Sequence, residues 1–327
     1  IEKYSILIIL LFTIIYGCKV NRKIEEKTLE TEREAWMLWA ANWSPNDEQI
    51  SVGGTQDTLR LFSANEFQLL KNYPYRGTIT KTKWHPTKNK LAISVQDGVS
   101  KSIILNLDND EMIALDSITF DGARAIGWNH SGDLLAVGDY DGYLTIFEEK
   151  GNFIKRVSTN QKSIIGLDWH PNENLIVAVG EKITLYHYDI DSLINIEDRS
   201  EDVLMLCAAW NPNGKFFVTG DYGDFEYHYP PLLQYWTYDG QRIKSIEQSK
   251  AEFRNIKWSG DGDLLATASE KIRLWNKNGD LVKESDSENL LWGIDWNKSD
   301  TKIVTTDIKG KIIIWDKELN QIKKLEY

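Results

Sequence analysis

The chain has 327 residues, of which 42% are hydrophobic and 27% charged, so it carries enough apolar material for a sizeable core and is not a disordered chain. Its formal net charge of -11 at pH 7 disfavours attraction to nucleic-acid phosphates and to anionic lipid, and nucleic acid is not expected as a partner. The two cysteines, Cys18 and Cys207, cannot make a disulfide framework.

The first stretch, "IEKYSILIILLFTIIYGCKVNRK", places Lys3 before an apolar run from Ile6 to Tyr16, followed by Gly17, Cys18 and basic residues. Charged start, short apolar centre and small residue are the layout of a secretory signal over residues 1–17, and the run falls short of the roughly 20 residues of a comfortable membrane span. "IIYGC" resembles the lipobox of bacterial lipoproteins, with Ile15 at the aliphatic position and Gly17 at the small one, while Tyr16 departs from the pattern. That resemblance implies that Cys18 becomes the lipidated first residue of a protein held to the cell envelope, on the periplasmic or outer-membrane side. An uncleaved anchor is the other reading of the same run. Residues 18–34 then read as the lipidated cysteine and a charged tether, since "KVNRKIEEKTLETERE" has too few large apolar residues to fold alone.

From residue 35 onward the chain repeats itself. "ANWSPNDEQISVGG" with Trp43 recurs as "TKWHPTKNKLAISV" with Trp84, "IGWNHSGDLLAVGD" with Trp128, "LDWHPNENLIVAVG" with Trp169 and "AAWNPNGKFFVTGD" with Trp210. "IKWSGDGDLLATAS" with Trp258 and "IDWNKSDTKIVTTD" with Trp296 complete seven copies, at intervals of 41, 44, 41, 41, 48 and 38 residues. A period of this length marks an array of like units, and it overrides the two-domain expectation from length alone. Each unit predicts an alternating strand ending at the tryptophan, a turn rich in Pro, Asn, Gly and Asp, a second apolar strand, and a third strand such as "TLRLFS" or "KIRLWN". A fourth follows, for example "FQLLKNY" or "NFIKRVS". Seven units of four antiparallel strands specify an all-β fold, a seven-bladed propeller over residues 35–327. "NQIKKLEY" supplies a local fourth strand for the last unit, which favours closure by the C-terminal hairpin.

The third strands close on Phe62, Asn106, Phe147, Tyr186, Trp236, Trp275 and Trp315. Trp315-Asp316 is a literal WD dipeptide and Trp275-Asn276 its near match, and Asp57, Asp97, Asp139 and Asp307 stand at the turn from second to third strand. In these features the repeat resembles the WD-repeat family. The Gly-His pair that usually opens such repeats is absent, so the hydrogen-bonded tetrad associated with it is not carried over.

Alignment of the first strands on their tryptophans separates functional from packing positions. Two residues back lie mostly apolar core residues, and three back lie mostly small ones, as crowding at an axis demands. Four back lie Trp39, Thr80, Arg124, Ile165, Leu206, Arg254 and Trp292, a mixed set nearing one mouth of the channel. Blades six, seven and one are neighbours in a ring, so Arg254, Trp292 and Trp39 are expected together there, and Trp and Arg are the residue types of binding hot spots. A purely structural role, tryptophans capping the core, is the competing reading. Unit five carries an insertion, "GDYGDFEYHYPPLLQYW", whose Tyr222, Phe225, Tyr227 and Tyr229 form either a recognition surface or a cover for blade edges.

His85, His130 and His170 occupy equivalent turns on separate blades, which indicates turn caps and no metal site. No nucleophile motif, phosphate loop or dinucleotide fingerprint occurs, and no cofactor is expected. The reading is a non-catalytic, monomeric protein–protein interaction scaffold, binding a protein or peptide and held to the membrane by lipid. The alternative is an envelope hydrolase or lyase with its site at the channel mouth.

Overall fold

The computed structural model describes residues 36–96, 101–116, 118, 121–197, 203–224, 226, 228–326. Cys18, the signal and tether of residues 1–34, Asp97, Phe225 and Tyr227 lie outside them. The described strands number 28 and fall into seven four-stranded antiparallel sheets, each paired in chain order from first strand to fourth. The protein is a seven-bladed β-propeller, and no helix occurs among the described residues.

The sequence pattern explains each blade. The first strands, from Leu38–Trp43 to Leu291–Trp296, pack on one another around the axis, so both of their faces are largely covered. The fourth strands are outermost, and stretches such as Leu69–Pro74 and Gln321–Glu326 are mostly exposed. Seven hydrophobic clusters sit between the blades, one at each junction. At the seven-to-one junction Leu38, Val52 and Phe62 meet Val304, Ile312 and Ile314. Gln321–Glu326 pairs with Lys311–Asp316 as the fourth strand of blade seven, so no strand is shared among the described residues and the ring closes by side-chain packing. The Trp43 amide N–H donates to Asp295 Oδ2 at 2.9 Å across that closure.

The residue after each tryptophan shapes the following turn by accepting amide protons that the turn leaves without a partner. Ser44 Oγ accepts from Gln49, His85 Nδ1 from Thr87 and Lys88, Asn129 Oδ1 from Gly132 and Leu134, and Asn297 Oδ1 from Thr301 and Lys302. Several of these side chains also tie one blade to the next. His85 Nε2 bonds the Gly132 carbonyl at 2.9 Å, His170 Nε2 that of Gly214 at 3.0 Å, and Asn211 Nδ2 that of Gly262 at 2.8 Å. His85 and His170 therefore hold turns and staple blades.

The third-strand tryptophans are anchored within their own blades. Nε1 of Trp236, Trp275 and Trp315 donates to the hydroxyls of Thr219, Thr267 and Thr305 at 2.9, 3.1 and 2.8 Å. Asp139 and Asp307 cap the second turn, each with one carboxylate oxygen accepting two amide protons, and Asp221 does the same in blade five. Asp139 also pairs with Arg156 at 2.9 Å, which ties this turn to the fourth strand of its blade, Phe153–Ser158.

Candidate functional site

The seven residues four positions before the tryptophans come together for a reason that strict alternation does not supply. Alternation would send them to the same side as the core residues two positions back. In six blades the residue is instead a β-bulge: Leu38 pairs with Gly54 and Ala40 with Gly53, leaving Trp39 unpaired, and the register shifts likewise around Thr80, Arg124, Ile165, Leu206 and Trp292. In blade six Asn255 pairs with Ala268, and the Arg254 amide reaches the same Ala268 carbonyl at 3.3 Å. A bulge re-aims the extra side chain. All seven side chains consequently line one small cavity at the axis, the bulge mouth.

At that mouth Trp39 and Trp292 meet edge to face, with ring centroids 4.8 Å apart. Arg254 lies over Trp292 at 4.4 Å and over Trp39 at 5.8 Å, and Arg124 lies over Trp39 at 5.0 Å. Burial, then the nearby Arg254, pushes the Arg124 guanidinium down to about 10. Glu252 steadies Arg254 through Nε at 3.0 Å. The four residues thus form an interlocked plug and not an open arc, for Trp292 is only 9% exposed. Nε1 of Trp39 and of Trp292 are buried donors without an acceptor.

The blade-five insertion joins the same mouth. Asp224 and Tyr229 exchange two backbone hydrogen bonds of 2.6 Å, closing a small loop after Asp221. Gly223 adopts φ +66°, and a Cβ there would sit 2.7 Å from the Tyr229 carbonyl oxygen, so the turn requires glycine. Tyr222 lies 5.8 Å beneath Arg254 in a cation–π contact yet remains 47% exposed, and Tyr229 is 41% exposed. Through Tyr222 the insertion and the plug residue Arg254, 32 residues apart in sequence, meet at one surface.

The opposite, tryptophan mouth holds groups that the alignment passed over. The position one before each tryptophan shares the axial face with the position three before, and the two levels carry Lys81, Lys83, Lys257, Asn42, Asn255, Asp168 and Asp295 among small residues. Asn42, Lys81, Lys83, Cys207, Asn255 and Lys257 line the axial channel. Below it opens a cavity of about 230 Å³ walled by Trp43, Trp84, Trp258 and Trp296, with Lys83 and Lys257 reaching it. Reading the alignment at every second residue would have found this ring. Burial and then Lys83 push the Lys81 ammonium down to about 8, and burial and then Lys257 lower that of Lys83. Cys207 is a buried thiol whose Sγ lies 3.1 Å from the Phe253 carbonyl oxygen, and burial pushes it up to about 12, so it is inert packing. Among the described residues no cluster of His, Cys, Asp and Glu is arranged to hold a metal ion.

Comparison with known proteins agrees with this architecture. The family "Eukaryotic translation initiation factor eIF2A" matches residues 140–294, from blade three into blade seven. The F-box-like/WD repeat-containing protein TBL1Y of Homo sapiens is 25% identical over 118 residues, 32% of this chain and 23% of that protein. The APC/C activator protein CDH1 of Saccharomyces cerevisiae is 22% identical over 293 residues, 83% of this chain and 49% of that protein. The SIR4-interacting protein SIF2 of the same yeast is 33% identical over 181 residues, 54% and 28% of the two chains. The chain spans half or less of the length of these curated relatives. These likenesses, one of them to a WD repeat-containing protein, are in keeping with the seven-bladed propeller.

Proposed function

We propose that this chain is a non-catalytic interaction platform, tethered to a bacterial envelope membrane through a lipid on Cys18, that captures a protein or peptide at the bulge mouth. The observation that carries the binding reading is the exposed Tyr222 set against Arg254 of the Trp39, Trp292, Arg124 and Arg254 plug, with the exposed Tyr229 on the same insertion. Exposed aromatics over rigid, cation-backed tryptophans are the composition of a hot spot, and seven fixed blades lower the ordering cost of binding. Relatives named as an APC/C activator and as a SIR4-interacting protein work through other proteins, in keeping with a platform.

Catalysis is not favoured by the channel carboxylates. Asp168 Oδ2 accepts the Trp210 amide at 2.9 Å as Asp295 accepts that of Trp43, so both staple blades together. The lipid reading rests on the lipobox resemblance, with residues 18–34 as its tether. Crosslinked pull-down from membrane fractions tests both parts. Tyr222→Ala with Tyr229→Ala is expected to cut partner recovery at least ten-fold with melting temperature within 1–2 °C of wild type, as for exposed positions. Cys18→Ser is expected to leave the membrane fraction and lose the lipid mass. Unchanged capture removes the tyrosine surface, and an unlipidated, membrane-free wild type removes the anchor.

A further inference from the structure

The axial channel of this acidic protein is cationic. Lys81 and Lys83, two residues apart on one strand (Thr78–Trp84), point inward with Lys257 from blade six, below Arg124 and Arg254. Neither Lys81 nor Lys83 has a carboxylate within 4.0 Å or a hydrogen bond through its ammonium among the described residues. Asp168 and Asp295 each hold a backbone amide through Oδ2, and Asp295 Oδ1 stands 3.7 Å from Lys257 Nζ, an ion pair that holds the Lys257 ammonium above its ordinary pKa and leaves Lys81 and Lys83 as the channel lysines without a carboxylate within 4.0 Å among the described residues. Glu252 is spent on Arg254. Two half-buried ammonium groups without a carboxylate within 4.0 Å are costly to retain, and packing does not require them, since blades three, four and five place Gly127, Ala125, Gly166 and Ala209 at equivalent positions.

We propose that the tryptophan mouth is a carboxylate site, which takes an acidic side chain of a peptide onto Lys83 and Lys257. Three observations select that ligand. The cavity of about 230 Å³ opens at this mouth, whereas voids of about 10 and 20 Å³ at the bulge mouth and mid-channel admit no more than a water. A ligand must therefore reach down on a stem while its bulk stays at the rim, as a glutamate side chain does. The rim offers the half-buried Pro45 and Trp84, apolar faces for the chain beside the acid, above the buried edges of Trp43, Trp258 and Trp296. Lys83, Lys257 and Lys298 line this cavity together with Asp295 and Asp300, a small net positive charge that a single carboxylate neutralises.

The site stands apart from the Tyr222 surface at the other mouth and does not depend on it. The test is calorimetric titration of the full chain, in an uncharged detergent at low ionic strength, with acetyl-Gly-Glu-Glu-Glu-Gly-amide, its all-glutamine counterpart and inorganic phosphate. The glutamate peptide is expected to bind with an affinity that falls with salt, and the glutamine peptide not to bind. Lys83→Met, which removes an unpaired charge, is expected to weaken binding at least ten-fold, Lys83→Arg to restore most of it, and Tyr222→Ala and Arg254→Met to leave it unchanged. Equal binding in Lys83→Met, loss of binding in Arg254→Met, no glutamate-peptide binding at millimolar concentration, or tighter binding of phosphate than of the peptide each overturns the proposal.

Discussion

Lys81 shows how one residue's chemistry is set by its address. In sequence it is a lysine among small residues at a strand's third position from the tryptophan, which reads as axial crowding. In the fold it faces Lys83 on its own strand, Arg124 from blade three, Asp168 from blade four and Cys207 from blade five, and its pKa falls to about 8 from an ordinary 10.5. The unfolded chain keeps that proton up to about pH 10.5 while the folded one releases it near 8. Stability therefore rises as pH climbs through that window, and the penalty is fully present below about 8. Lys81→Met is expected to raise the melting temperature at pH 7, and its advantage over wild type to shrink as pH approaches 10.5. A melting-temperature series from pH 6 to 10.5 checks this; a variant that melts lower at pH 7 refutes it.

At the scale of strands and turns, the tryptophan-proline turns work as couplings between blades. His85 accepts two amide protons at Nδ1 and donates from Nε2 to Gly132, a pattern open only to the neutral ring, and burial lowers its pKa. Stability from this coupling is complete above pH 6.5 and declines as pH falls below it, where the unfolded histidine takes up a proton that the folded one resists. His85→Ala is expected to cost about 1–3 kcal/mol at pH 7.5, since it strips a partner from the buried Gly132 carbonyl and from two turn amides. Asn211 makes the equivalent bond in blade five, so His85→Asn is expected to recover part of that loss and to flatten the slope between pH 6.5 and 5. Urea titrations at pH 7.5 and 5.5 measure both. The bulges act at the same scale: each shifts one residue's pairing and turns it from the core toward the axis, which no single-strand periodicity predicts.

For the whole molecule, closure is the governing fact. Blade seven meets blade one through Val304, Ile312 and Ile314 against Leu38, Val52 and Phe62, with Trp43 and Asp295 bonded across the seam. Each blade thus packs on two neighbours, and losing one junction weakens all. Ile314→Ala, at a fully buried site, is expected to cost about 2–5 kcal/mol and still unfold in one transition by calorimetry; a separate early transition would mean an array that melts from an open end. The seven tryptophans and their spacing determined the blades, their strands and the neighbourhood of Arg254, Trp292 and Trp39, because a repeat period and a two-residue alternation are local properties of the chain. Exposure of that neighbourhood, its union with Tyr222, and the lysine-lined channel were decided by tertiary structure alone. They depend on register shifts within blades and on which strands face one another across an axis, and those distances exist only once the ring has closed.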